Sequence, residues 1–137
     1  MVNLIASKKG SGKTKRIIDL ANERLKDTAG NIVFIDNDKK HMYQLKHDLR
    51  FISMDEYPIQ SQDEFVGFVC GVISNDYDIE DIYIDGLFKV MDVEMQGLPK
   101  LVDRLEDISK SFNINFTMTV SCDTTTIPET LGTYIKA

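Results

Sequence analysis

The segment Ser7-Lys8-Lys9-Gly10-Ser11-Gly12-Lys13-Thr14 constrains this chain more than any other. It stands between an apolar run, Val2 to Ala6, and a stretch with Ile17, Ile18, Leu20, Ala21 and Leu25 at helical spacing. A short apolar run ahead of a glycine-rich turn reads as a buried strand. The spacing after it reads as a helix from Lys13 to Leu25, stopped by Gly30. The chain must therefore pass from strand to helix within a few residues. Gly10 and Gly12 allow this, because glycine takes positive φ without strain and lets a ligand approach the backbone closely. The loop N–H groups and those of the first helical turn then converge on one place. Their complement is an anion rich in oxygen.

Charge agrees. Residues 8–16 hold Lys8, Lys9, Lys13, Lys15 and Arg16 and no acid, although the 137-residue chain has a net charge of −6. The remaining residues carry 11 basic and 22 acidic side chains, a balance of −11. So acidic a body suits the phosphate backbone of nucleic acid poorly, and no broad nucleic-acid binding is expected. A single small anion at the basic segment is. Every residue from Ser7 to Lys15 (Ser7, Lys8, Lys9, Gly10, Ser11, Gly12, Lys13, Thr14 and Lys15) is a candidate contact.

The rest of the chain alternates strand and helix. Further strands are predicted at Asn31–Asp36, Arg50–Met54, Asp81–Asp85 and Asn115–Ser121. Helical stripes run over Gln62–Ser74 and Leu98–Phe112, and shorter helices are expected at Lys39–His47 and Pro128–Ile135. This alternation predicts an α/β fold: a three-layer αβα sandwich with a mostly parallel sheet of about five strands. The length suits one domain, residues 1–137. In such sheets ligands bind at the carboxyl ends of the strands. Here those ends are Ser7, Asp36, then Asp55 and Glu56, Asp85, and Ser121 with Asp123. No apolar run approaches the roughly 20 residues needed to span a bilayer, so no membrane association is expected. Met1–Ala6 is too short for the apolar region of a signal peptide. With only Cys70 and Cys122, read as small core residues, the expected location is the cytoplasm.

Residues Ser7 to Thr14 resemble the Walker A box of P-loop NTPases, with Ser7 where that pattern begins with glycine. Ile82-Tyr83-Ile84-Asp85 resembles a Walker B strand, whose acid holds Mg²⁺. The order strand, loop, helix, strand and later acid-tipped strand is similar to a minimal P-loop NTPase core of the RecA-like or nucleoside-kinase type. Ile5 to Asp38 is also similar to thymidine kinases, and the whole to short bacterial P-loop proteins of unassigned role. The resemblance implies a P-loop NTPase fold with ATP or another nucleoside triphosphate as ligand and Mg²⁺ as cofactor. It further implies that Lys13 reaches the β and γ phosphates and that Thr14 and Asp85 hold the metal. Lys13 and Asp85 are thus the catalytic candidates, with Glu56 as a candidate base. A GxGxxG dinucleotide fingerprint is excluded by Lys15 at its third glycine position, where bulk blocks helix–strand packing.

Gly86 follows Asp85, where many ATP-hydrolysing relatives carry Glu. The leading expectation is therefore an uncharacterised Mg-ATP-binding domain that hydrolyses slowly, its site completed by a partner or a second copy. The first alternative is a regulatory or interaction module that binds nucleotide without turnover. The second is a small-molecule or nucleoside kinase, with residues 37–62 lining an acceptor pocket.

Overall fold

The computed structural model describes Met1–Lys136. Five strands, β1 (Val2–Ser7), β2 (Asn31–Asp36), β3 (Arg50–Ser53), β4 (Ile79–Ile84) and β5 (Asn115–Ser121), form one sheet in the order β1-β5-β4-β2-β3. Every pairing is parallel. Four α-helices accompany them: α1 (Lys13–Arg24), α2 (Gln62–Ser74), α3 (Leu87–Val90) and α4 (Leu98–Phe112). The fold is the expected α/β sandwich, compatible with a P-loop fold.

Strand periodicity builds the layers. Side chains alternate across a sheet, so neighbours in sequence serve opposite faces. On one face Ile32, Phe34 and Tyr83 pack with Ile17, Ile18 and Ala21 of α1. On the other, Val33, Ile35, Ile82 and Ile84 pack with Phe65 and Val69 of α2 and Leu101 and Leu105 of α4. On the α1 face, Tyr83, Phe34 and Phe51 stand side by side in register across three strands. Their rings stack at centroid separations of 6.4 Å for both adjacent pairs. Asp81, buried in the middle of β4, is matched by the Arg24 side chain at the end of α1.

The helix ends reflect local chemistry. At α2, Ser61 and Glu64 form a capping box that satisfies the first N–H groups. At α4, Asn113 takes the left-handed conformation, φ 56°, and stops the helix.

Two expected helices are short 3₁₀ turns instead. Residues 39–47 wind only over Met42–Gln44, none of them buried. Without an apolar stripe to bury, a helix there gains little from packing. The C-terminal segment is a 3₁₀ turn, Glu129–Tyr134, with Leu131 as its one buried residue. After it Ile135 bridges to Leu4, and the Lys136 N–H donates to the Leu4 carbonyl at 2.8 Å, on the open edge of β1. Cys70 is exposed rather than in the core, and Cys122 is half-buried. No helix among the described residues is long and apolar enough to cross a membrane.

Phe34 is fully buried at the centre of the aromatic row. Replacing it by Ala should cost about 3–5 kcal/mol in urea unfolding. A loss below about 1 kcal/mol would show that the row does not anchor α1 to the sheet.

Candidate functional site

The parallel sheet brings all five strand ends to one edge, and the glycine loop closes over it. Gly10 and Gly12 have φ of 83° and 88°, as a tight turn from β1 into α1 requires. Asn113 is the only other-than-glycine residue with positive φ among the described residues, so Ser7 holds ordinary backbone. Ser7 completes β1, and its hydroxyl hydrogen-bonds that of Ser11. A side chain at this position therefore does not distort the loop.

Helix α1 begins at Gly12 with no side-chain cap and no acid in its first turn. Its leading N–H groups and the positive end of its dipole face the cavity uncompensated. Lys13 is 8% exposed. Its ammonium donates to the Lys8 carbonyl at 2.9 Å and to the Ser11 hydroxyl at 3.4 Å. Burial lowers its pKa from the ordinary lysine value, against the opposing pull of Asp85.

A cavity of about 380 Å³ opens here. One wall is the loop, with Lys9, Gly10, Gly12, Lys13 and Thr14. The floor is made of strand ends and the first residues beyond them, with Asp36, Asp85, Gly86, Thr119 and Ser121. Residues Asn37, Asp38, Lys40 and His41 after β2 form the far wall, and Lys89 of α3 overhangs it. The volume suits a small ligand.

The two floor carboxylates differ. The Asp85 N–H donates to the Ile35 carbonyl at 2.9 Å, which fixes its backbone against β2. The Thr119 hydroxyl donates to Asp85 Oδ1 at 2.7 Å and accepts from the Gly86 N–H at 2.6 Å. Thr119 thus sets both the carboxylate and the turn after it. Asp36 accepts from the Asn37 N–H through Oδ1 at 2.7 Å, while its Oδ2 is buried with no partner. Burial pushes its pKa up to about 7, opposed by the Asn37 N–H and reinforced by Asp85 and Asp38.

No protein-family model matches the chain, and no curated protein matches it either. Its function has to be read from the site itself. Among the predicted site residues, Lys9, Gly10, Gly12, Lys13, Thr14 and Asp85 come together around this cavity. Lys8 contributes its carbonyl to Lys13, and Ser7 and Ser11 brace the loop. Lys15 lies outside the cavity lining and pairs with Asp19 at 2.7 Å. Glu56 also stands apart, beyond edge strand β3, where it pairs with Lys39 at 2.8 Å. Ser121 is at the cavity as its strand-end position implies.

Thr14 and Asp85 supply a hydroxyl and a carboxylate, the hard oxygens that suit Mg²⁺. No group of three or more His, Cys, Asp or Glu among the described residues could hold a metal unaided. A cation here would draw its remaining ligands from water and a bound anion.

Thr119 and Lys89 were not legible as site residues. In β5, Phe116, Met118 and Val120 fill the core face, which assigns Thr117, Thr119 and Ser121 to the other. That alternation was the available signal for Thr119. Lys89 has none, because the short helix that carries it has no sequence signature.

The Asp36 carboxyl gives a direct test. An aspartate in an unfolded chain titrates near 3.9, so the folded chain keeps a proton up to about pH 7 that the unfolded chain has lost. Its contribution to stability therefore falls as pH rises through that window and is level above it. Relative to the native chain, Asp36→Asn should gain up to about 4 kcal/mol between about pH 4 and pH 8. Urea unfolding at both pH values measures this, and an equal difference at the two would contradict it.

Proposed function

We propose that this chain binds a nucleoside triphosphate with Mg²⁺ at the strand-end cavity, ATP being the expected ligand, and hydrolyses it slowly. One observation carries the reading: buried Lys13, uncapped α1, and the Thr14 and Asp85 oxygens all address the same 380 Å³ cavity. Buried cations are costly unless paired. Here an anion is the missing partner for Lys13, and two loop glycines leave the backbone open to it.

The roles come from the atoms. The loop N–H groups and the first turn of α1 surround phosphate oxygens. Lys13 exchanges its contacts with the Lys8 carbonyl and Ser11 hydroxyl for phosphate. Thr14 and Asp85 are the residues that would hold Mg²⁺, and Thr119 presents the Asp85 carboxylate by occupying Oδ1. The metal, when bound, neutralises charge on the phosphates. Asp36 lines the cavity beside Asp85, and we assign its carboxyl to take a proton from the attacking water. A carboxyl with a pKa near 7 is about half ionised at neutral pH and takes a proton more readily than an ordinary aspartate. Gly86 adds no second acid beside Asp85, and that absence favours slow turnover.

Glu56 has no part in this reading, because it faces Lys39 away from the cavity.

Calorimetry with Mg-ATP on the native chain and on Lys13→Ala, with phosphate release followed in the same samples, tests the proposal. Binding by the native chain should weaken at least about tenfold in Lys13→Ala. Phosphate release should be well below about 1 s⁻¹. Equal affinity in both proteins would refute phosphate binding by the loop. Binding with no release would identify a nucleotide-gated module, and transfer to a nucleoside would identify a kinase.

A further inference from the structure

We infer that Lys89 is a second phosphate-binding cation of this site, supplied within the same chain and directed at the terminal phosphate. This rests on the proposal that the cavity takes a nucleoside triphosphate. It supplies from the same chain a positive charge that the sequence alone left to a partner or a second copy.

The chain places Lys89 with care. Gly86 comes after Asp85 with φ of 75°, a conformation that L side chains rarely adopt. A Cβ built on Gly86 would meet the Lys89 stem, with Cδ at 3.4 Å, Cβ at 3.6 Å and Cγ at 3.7 Å. The aliphatic stem thus lies against the bare α-carbon of Gly86, immediately beyond Asp85. The position after Asp85, where the resemblance to a Walker B strand implies an acid, is a glycine covered by the Lys89 stem.

The turn that carries it is fixed on both sides. Leu87 and Val90 are buried in the core. The Lys89 and Val90 N–H groups donate to the Gly86 carbonyl at 2.8 and 3.1 Å. The Gly86 N–H is itself held by Thr119. The loop and Lys89 therefore approach the cavity from rigid supports, separated by one intervening strand, or roughly 10 Å between strand axes.

Electrostatics points the same way. Lys89 lines the same cavity as Lys13 and Asp36, so its charge faces the loop and the floor together. Among the described residues no hydrogen bond or ion pair occupies the Lys89 ammonium. Two cations aimed at one cavity repel each other, and an anion between them turns that repulsion into attraction for both. Lys89, which follows β4, would meet a phosphate held in the loop from the β4 side of the cavity.

The test compares Mg-ATP and Mg-ADP affinities, by calorimetry, for the native chain, Lys89→Ala and Lys89→Arg. Lys89 is exposed, so neither substitution should change the melting temperature. Lys89→Ala should weaken Mg-ATP binding about tenfold and leave Mg-ADP within about twofold, and Lys89→Arg should keep Mg-ATP within about threefold. Unchanged Mg-ATP affinity in Lys89→Ala, on a chain that binds, would overturn this role alone. Equal losses of ATP and ADP would overturn its assignment to the terminal phosphate. Failure of the native chain to bind either nucleotide would overturn the nucleotide proposal and the role of Lys89 with it.

Discussion

The parallel pairing of β1 with β5, and of β5 with β4, fixes where Lys13 and Asp85 meet. Asp85 lies just past the end of β4, Lys13 opens α1 at the close of the loop that leaves β1, and parallel strands put all such ends on one edge. The core secures that edge from below. Val2 and Leu4 of β1, Phe116 and Met118 of β5, and Ile82 and Ile84 of β4 all pack into the cluster beneath α2 and α4. A slip of one residue in any of these strands would turn its apolar set out of the core. Site geometry and core burial therefore stand or fall together.

Function and stability compete at this edge. Lys13, Asp36 and Asp85 are all buried there. Asp85 is satisfied by Thr119, but Asp36 keeps an oxygen without a partner and Lys13 makes do with a carbonyl and a hydroxyl. Elsewhere the chain matches its buried charge, as Arg24 does for Asp81. Helix α2 has a capping box in Ser61 and Glu64, whereas α1 and α4 both start with no side-chain cap. The start of α1 differs from that of α4 in lining the cavity together with Asp36 and Asp85.

The sequence made the loop and the layer order readable because both rest on local rules. Strand periodicity, the helical stripes at 62–74 and 98–112, and the two glycines each act within a few residues. Lys13, Thr14 and Asp85 could be placed for the same reason. Strand order was not readable, since nothing local says that β5 comes between β1 and β4. That insertion brings Thr119 to Asp85, so Thr119 was missed. Glu56 looked equivalent to Asp85 as an acid at a strand end, yet β3 lies at the far edge of the sheet, beyond β2. Asp36 ends β2, next to Asp85, and its importance lies in burial, which no local pattern reveals. Lys89 depends on a four-residue helix after a glycine, too short for any periodic signal.

The account stands on the loop from Gly10 to Thr14 receiving phosphate. Backbone amide NMR on the ¹⁵N-labelled chain, titrated with Mg-ATP and in parallel with adenosine, tests it most directly. The account predicts that Mg-ATP shifts the amides of Gly10, Gly12, Lys13 and Thr14 most strongly and that adenosine leaves them in place. No movement of these amides, or the same shifts with adenosine, would contradict it.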